Sequence, residues 1–159
     1  MSRYDWLLGL HVLSAFAMVA GIVFFAILLL ALWRIDSARP AATLFAVGKP
    51  AVVLVGVGSV FVLVFGIALA LDVDGYHLWD GWILGSIVLW AIAVGLGMRG
   101  GKHAAKAHDL ATALVARGDE SPNAELRALI RDRSSLLMHA VAGTALLATL
   151  VLMIYKPGA

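Results

Sequence analysis

The feature that most constrains this chain is residues 6–33, WLLGLHVLSAFAMVAGIVFFAILLLALW, a run of 28 residues without Asp, Glu, Lys or Arg. An α-helix rises about 1.5 Å per residue, and roughly 20 apolar residues cross the hydrocarbon core of a bilayer. The run is about twice as long as the apolar part of a signal peptide, and the MSRYD before it has no net charge. We therefore expect a membrane-spanning helix, whose one ionisable side chain is His11.

Three further apolar runs follow, at residues 44–71, 82–98 and 134–155. The composition agrees with several spans, because 62% of the residues are hydrophobic and 14% are charged, against about 45–50% apolar and 25% charged in soluble domains. The absence of Cys excludes disulfides, thiolate metal sites and iron–sulfur clusters. The sequence predicts an all-α four-helix transmembrane bundle that forms a single domain over residues 1–159.

The connection between the third and fourth spans has a helical pattern of its own. Residues 102–117, KHAAKAHDLATALVAR, repeat apolar residues at helical spacing, with charged residues elsewhere on the wheel. This pattern predicts an amphipathic segment, either lying on the membrane surface or extending the third helix into the cytoplasm. The glycines of residues 97–101 indicate a helix break before it. After it, Ser121 is expected to cap a new helix that has Pro122 at its first position.

Basic residues are concentrated in two connections, which share one side of the membrane if there are four spans. They hold ten of the twelve Lys and Arg residues: Arg34, Arg39, Lys49, Arg99, Lys102, Lys106, Arg117, Arg127, Arg131 and Arg133. The positive-inside rule then places both connections in the cytoplasm and both termini outside. Since topology explains these charges and the formal net charge is only +2, we expect no nucleic-acid partner.

His11 is the first candidate site residue. At helical spacing it shares a face with Ser14, Ala15, Met18 and Phe25, so this face should point into the bundle. An ionisable residue inside a membrane is a functional candidate, and neutral imidazole binds haem iron and copper. The alternative is a structural histidine that is hydrogen-bonded to a neighbouring helix. A copper(I) site with Met18 is conceivable but has few ligands.

His139 in the fourth span and His77 in the external loop are weaker candidates for binding a cofactor. A haem b held by both His11 and His139 is disfavoured, because they should differ in depth by roughly 15 Å. The sequence instead groups candidate residues by side of the membrane. The external group joins His11 to His77, Tyr76 or Asp80, and the internal group joins His139 to Lys49, His103 or His108.

Motifs of several enzyme classes are absent from the sequence, including the P-loop, HExxH, the nucleophile elbow and the dinucleotide fingerprint. No carboxylate lies within a span, which weakens an ion-coupled transporter interpretation. The leading hypothesis is that the protein is a non-enzymatic accessory or binding subunit. It would lie in the lipid bilayer and pack with a second copy of itself or with another membrane protein. The alternative is a redox or transport protein that binds haem, or less readily copper, through His11.

Four segments carry a family resemblance: LHVLSAFAMVAGI in the first span, GKP to FGIALA in the second, WDGWILGSIVLW before the third and the closing LVLMIYKPG. They resemble an uncharacterised family of small bacterial integral membrane proteins. The chain is more distantly similar to CopD-like copper-resistance membrane domains and HemJ-type protoporphyrinogen oxidases. The resemblance implies a bacterial inner-membrane location and matches His11 to a suspected haem ligand. The lysine expected in the third helix is missing from residues 82–98.

Overall fold

The computed structural model describes residues 2–119 and 121–158. Its helices in chain order are α1 Arg3–Leu32, α2 Ala38–Asp72, α3 Gly81–Ala116, α4 Ala124–Ile130 and α5 Arg133–Tyr155. Four candidate spans are long and apolar enough to cross a membrane, the last of them combining α4 and α5. The predicted all-α transmembrane bundle is confirmed.

The two ends of the bundle carry different connections, and each end is named here for what it contains. The loop end holds the α1–α2 connection, residues 33–37, and residues 117–119 and 121–132. The termini end holds the start of α1, the end of α5 and the α2–α3 connection, residues 73–80.

Helices α1 and α2 pack so closely that glycines are needed where they cross. A Cβ atom added at Gly21 would lie 2.9 Å from the carbonyl oxygen of Ala51, and one at Gly58 would lie 2.8 Å from the backbone nitrogen of Met18. Small residues let helix backbones approach within a membrane, where dispersion contacts replace the hydrophobic effect between helices. Gly21 on α1 and Gly58 on α2 therefore allow the close packing of these two helices.

Helix α3 pairs with α5 and then continues well beyond it. A Cβ atom at Gly85 would lie 3.2 Å from Leu152 near the end of α5, and Gly100 lies against His139 near the start of α5. The 36 residues of α3 correspond to about 54 Å, compared with a hydrocarbon core of about 30 Å. The part of α3 after Gly100 therefore projects past the start of α5 at the loop end.

The break expected at residues 97–101 is wrong, because α3 is continuous through these glycines. Gly100 does not end the helix but allows α5 to pack against it. Because it has no side chain, it makes room for the ring of His139. Its carbonyl oxygen also accepts a hydrogen bond from Ser135 Oγ at 3.2 Å. The amphipathic segment is thus the extension of the third helix, the second of the two alternatives.

The start of α4 also differs from the expectation. Ser121 does not cap the helix; Asn123 does, and its Oδ1 accepts a hydrogen bond from the backbone N–H of Leu126 at 2.9 Å. Ser121 instead donates its hydroxyl and its backbone N–H to Asp119 Oδ1, which shapes the turn that follows α3. Pro122 consequently precedes the helix rather than opening it.

The loop end is closed by an apolar cluster that we call the loop-end cluster. It joins the last turn of α1, the start of α2, the extension of α3 and α4. Its buried members are Leu32, Ala38, Ala41, Ala107, Ala111, Leu114 and Leu126. Beside it, Asp36 Oδ1 pairs with Arg127 at 3.0 Å and with Arg131 at 3.1 Å, so α4 is held against the α1–α2 connection.

Candidate functional site

The termini end contains a cavity of about 630 Å³ bounded by α1, α2, α3 and α5. Its walls are mostly apolar, and its size lies within the range of small-molecule sites. The apolar residues of the wall include Ile87 on α3 and Leu150 on α5. The polar or amphipathic side chains that line the cavity include His11, Tyr76, Trp82 and Lys156.

His11 lies in the cavity wall, wedged against α2. Its Nδ1 is 2.9 Å from the carbonyl oxygen of Val62. A Cβ atom at Gly66 would lie only 3.0 Å from the His11 ring, so this glycine creates the space for the imidazole. Because a carbonyl only accepts hydrogen bonds, the neutral ring carries its proton on Nδ1. Nε2 therefore keeps its lone pair, and it has no hydrogen-bond partner within residues 2–119 and 121–158.

A second polar group lines the cavity at the termini end. Lys156, which directly follows α5, donates from Nζ to the hydroxyl of Tyr76 at 3.0 Å. The same ammonium lies 5.0 Å from the ring centroid of Tyr76 and 5.7 Å from that of Trp82, within the range of cation–π attraction. We call these three residues the mouth cluster.

Other polar side chains around the cavity already have partners. Ser86 Oγ donates to the carbonyl oxygen of Trp82 at 2.7 Å, and Thr149 Oγ donates to that of Ala145 at 3.0 Å. Trp90 Nε1 reaches from α3 to Ser59 Oγ on α2 at 2.8 Å. Unused hydrogen-bonding capacity therefore lies with His11 and the mouth cluster, and also with the hydroxyl of Tyr4 at the rim of the cavity.

His139 occupies a separate place near the loop end. Its Nδ1 is 2.8 Å from the carbonyl oxygen of Ser135 in its own helix, and its ring packs on Gly100 and on Phe25, with ring centroids 5.0 Å apart. Phe25 follows His11 by 14 residues on α1, a distance of about 21 Å along the axis. His11 and His139 are therefore too far apart to bind one iron.

The other grouped candidates divide in the same way. Of the proposed external partners of His11, Tyr76 lines the same cavity. His77 is exposed, stacks on Trp79 with centroids 4.7 Å apart, and has its backbone N–H bonded to Asp80 at 2.9 Å.

The proposed internal partners of His139 have different neighbours. His103 Nε2 lies 3.8 Å from Asp132, and the His108 ring packs on Phe45 with centroids 5.5 Å apart. Lys49 is exposed. Within residues 2–119 and 121–158, no group of three or more His, Cys, Asp and Glu residues is arranged to hold a metal ion.

Two residues of the mouth cluster, Lys156 and Trp82, are absent from the sequence-based candidates. Trp82 resembles an ordinary interfacial aromatic, and Lys156 resembles an ordinary basic residue at the end of a span. A signal did exist in the dipeptide formed by Lys156 and Pro157, because a residue before proline is disfavoured in helical conformations and marks a position with a special backbone.

A bundle of four candidate spans around an apolar cavity defines the class: this is a polytopic integral membrane protein with an internal site of small-molecule size. The family described as "Predicted integral membrane protein (DUF2269)" matches residues 5–157. The chain therefore belongs to this family, whose function is unknown. No curated protein and no solved structure matches it.

Proposed function

We propose that this protein is a non-enzymatic binding subunit that holds one amphiphilic small molecule of the bilayer in the cavity at the termini end. The observation that carries the proposal is the cavity itself, about 630 Å³ of mostly apolar space within the spans. An apolar body would contact the walls, while His11 and the mouth cluster offer polar contacts at two depths. Such a subunit acts as one domain over residues 1–159, and its partners are the bilayer and either a second copy or another membrane protein.

Mass spectrometry tests the binding proposal directly. Protein purified in a mild detergent should retain a stoichiometric amphiphile that organic extraction releases. Ile87→Trp should reduce the retained amount several-fold, because Ile87 lines the cavity and the larger ring would fill it. Val88→Trp is the matched control, since the next residue on α3 is 56% exposed outside the cavity. Equal retention by both variants, or no retained amphiphile in the parent protein, contradicts the proposal.

A second candidate function is haem binding through His11. The observation that favours it is the hydrogen bond to Val62, because a histidine that donates Nδ1–H to a carbonyl presents Nε2 to a metal in a fixed orientation. His11 would supply one axial ligand, and bound haem would supply one-electron redox chemistry.

Visible absorption distinguishes this candidate from the first. Protein made in cells supplied with haem precursor should show a Soret band that His11→Leu removes and His139→Leu retains. A colourless parent protein eliminates the haem candidate and leaves the amphiphile proposal intact. Copper has weaker support: Met18 lines the cavity with His11, but the described residues offer no larger ligand group.

We also propose that the loop end faces the cytoplasm of a bacterial cell and that both termini face outward. The support is the concentration of ten of the twelve Lys and Arg residues at the loop end. A reporter that is active only outside the cytoplasm, fused to the C-terminal end of the chain, should be active. Activity of a cytoplasm-only reporter at that position would reverse the orientation.

A further inference from the structure

We infer that the ligand of this cavity is a single-chain amphiphile with an anionic head group, a carboxylate or a phosphate, held by the mouth cluster at the termini end. The inference rests on the proposed amphiphile binding and specifies the chemical class of the ligand. It also fixes the ligand's orientation, with the head group at the membrane boundary and the chain towards His11.

The Lys156 ammonium lies in the cavity wall beside Tyr76. Lys156 is half-buried, and its contacts are the hydroxyl of Tyr76 at 3.0 Å and the faces of two aromatic rings. It forms no ion pair with a carboxylate in residues 2–119 or 121–158. Asp72, at the same end of the bundle, pairs with Arg3 at 3.2 Å. A partly desolvated cation favours a negatively charged partner, and Lys156 lines the cavity in which one can lie.

The backbone of Lys156 adopts a conformation that is unusual for lysine. The residue has φ 41° and ψ 58°, the left-handed conformation that glycine or asparagine usually supplies at the end of a helix. Pro157 follows it, which restricts the backbone further. Its N–H is bonded to the carbonyl oxygen of Leu152 at 2.9 Å, so the strained conformation is held in place. Glycine would satisfy this turn with less strain, and the presence of lysine therefore points to a role for its side chain.

The mouth cluster contains hydrogen-bond donors that have no acceptor among the described residues. Trp82 is 6% exposed, and its indole Nε1–H is buried without an acceptor among the described residues. The hydroxyl of Tyr76 accepts from Lys156 and keeps its own proton to donate. The hydroxyl proton of Tyr76 and the remaining N–H groups of the Lys156 ammonium are therefore donors without an acceptor among the described residues. A head group that matches them has several acceptor oxygens, as carboxylates and phosphates do.

The size of the cavity decides between one chain and two. About 630 Å³ is the space of a drug-sized ligand, and a diacyl phospholipid is much larger than such a ligand. Side chains from all four spans surround this space, so a single acyl or isoprenoid chain is the body that it can enclose.

The experiment compares three probes that share one chain and differ in the head group: palmitate, hexadecyl phosphate and hexadecanol. Binding is measured by native mass spectrometry on the full-length protein in detergent. We expect one or both anions to bind about tenfold more tightly than the alcohol, since one charge-assisted hydrogen bond accounts for a difference of that size. The two anions separate the carboxylate source from the phosphate source.

The matched variants are Lys156→Gln and Lys49→Gln. Lys156→Gln should remove the preference for anions and leave hexadecanol binding unchanged, whereas Lys49→Gln, an exposed residue on α2 outside the cavity, should behave like the parent. Equal affinity of the parent for all three probes, or an anion preference that survives in Lys156→Gln, overturns the head-group inference. If Ile87→Trp still blocks hexadecanol binding, the amphiphile proposal stands alone. If no probe binds, both proposals are overturned.

Discussion

The two ends of this bundle are built from the same long helices, yet one is closed by a packed cluster and the other contains a cavity. At the loop end, small and branched apolar residues form the loop-end cluster, and Asp36 ties α4 to the α1–α2 connection. At the termini end, a cavity of about 630 Å³ lies beside a smaller buried cluster that includes Trp82. The difference lies in what surrounds each end.

The loop-end cluster lies partly beyond the spans, because α3 projects past the start of α5 there. Water next to that cluster drives apolar side chains together. The cavity lies within the depth of the spans, where lipid chains are as apolar as the side chains and no such force closes a gap. An opening inside a membrane protein is therefore tolerated where a lipid-like molecule can fill it, which is the occupant we propose.

Truncation of a leucine to alanine should lower the free energy of unfolding more than any other change proposed here. The loss should differ between the two ends. Leu126 is 1% exposed in the loop-end cluster, so Leu126→Ala should lower the free energy of unfolding by about 2–4 kcal/mol. Leu150 borders existing space, and Leu150→Ala should cost less than about 1.5 kcal/mol because detergent or lipid can occupy the enlarged cavity. SDS titration in mixed micelles measures both; a larger loss for Leu150→Ala contradicts the comparison.

Removal of a carboxylate charge should also lower the free energy of unfolding by different amounts at the two ends. Asp36 contacts two arginines, so Asp36→Asn should lower the free energy of unfolding by roughly 1 kcal/mol and loosen α4. Asp72 pairs with Arg3, whose side chain is 80% exposed, and Asp72→Asn should cost no more than about 0.5 kcal/mol. Hydrogen exchange of the α4 amides should increase in the first variant alone. Equal exchange in both variants would show that the ion pairs do not hold α4.

Replacement of His11 tests whether the stability of the termini end depends on a hydrogen bond between helices. His11→Leu removes the bond to Val62 and should cost roughly 0.5–1.5 kcal/mol, the range found for such bonds in membranes. Thr144→Ala is the control, because the Thr144 hydroxyl bonds within its own helix, to Ala140. A loss of more than about 3 kcal/mol would assign His11 a mainly structural role, since that exceeds the value of one interhelical bond.

The smallest expected effect is a titration at the loop end. The hydroxyl and the backbone N–H of Ser121 both donate to Asp119, and these bonds lower the pKa of the Asp119 carboxyl below its ordinary value. Since the folded-state pKa is depressed, the contribution to stability is present above the ordinary pKa and is lost as the pH falls through the depressed one. An NMR titration of the carboxyl carbon should show the low pKa, and Ser121→Ala should return it towards the ordinary value. An unchanged pKa in this variant would rule out the hydroxyl bond as its main cause.

The fold was predictable from the sequence because membrane spans have a strong signal. Apolar runs without charges must be helical to satisfy their backbone groups in lipid, so the four spans and the short connections followed directly. The continuation of α3 through residues 97–101 did not follow. Glycine disfavours helix in an isolated chain, but here Gly100 admits the ring of His139, and packing outweighs that preference.

The candidate site was only half predictable. His11 was identifiable as the one ionisable residue of an apolar run, and its separation from His139 followed from counting residues along the spans. The cavity was not identifiable, since its volume depends on how the four helices rotate and on which side chains fail to meet. Trp82 and Lys156 are 74 residues apart in the sequence, and only the packing of α3 against α5 brings their side chains together.

The uninterrupted α3 gives the two ends a mechanical relation. One rod about 54 Å long carries Trp82 into the cavity at its start and Leu114 into the loop-end cluster near its finish. Between them, the bond from Trp90 to Ser59 links α3 to α2. Because one continuous helix supplies both contacts, any tilt of α3 would move a wall of the cavity and a part of the loop-end cluster together.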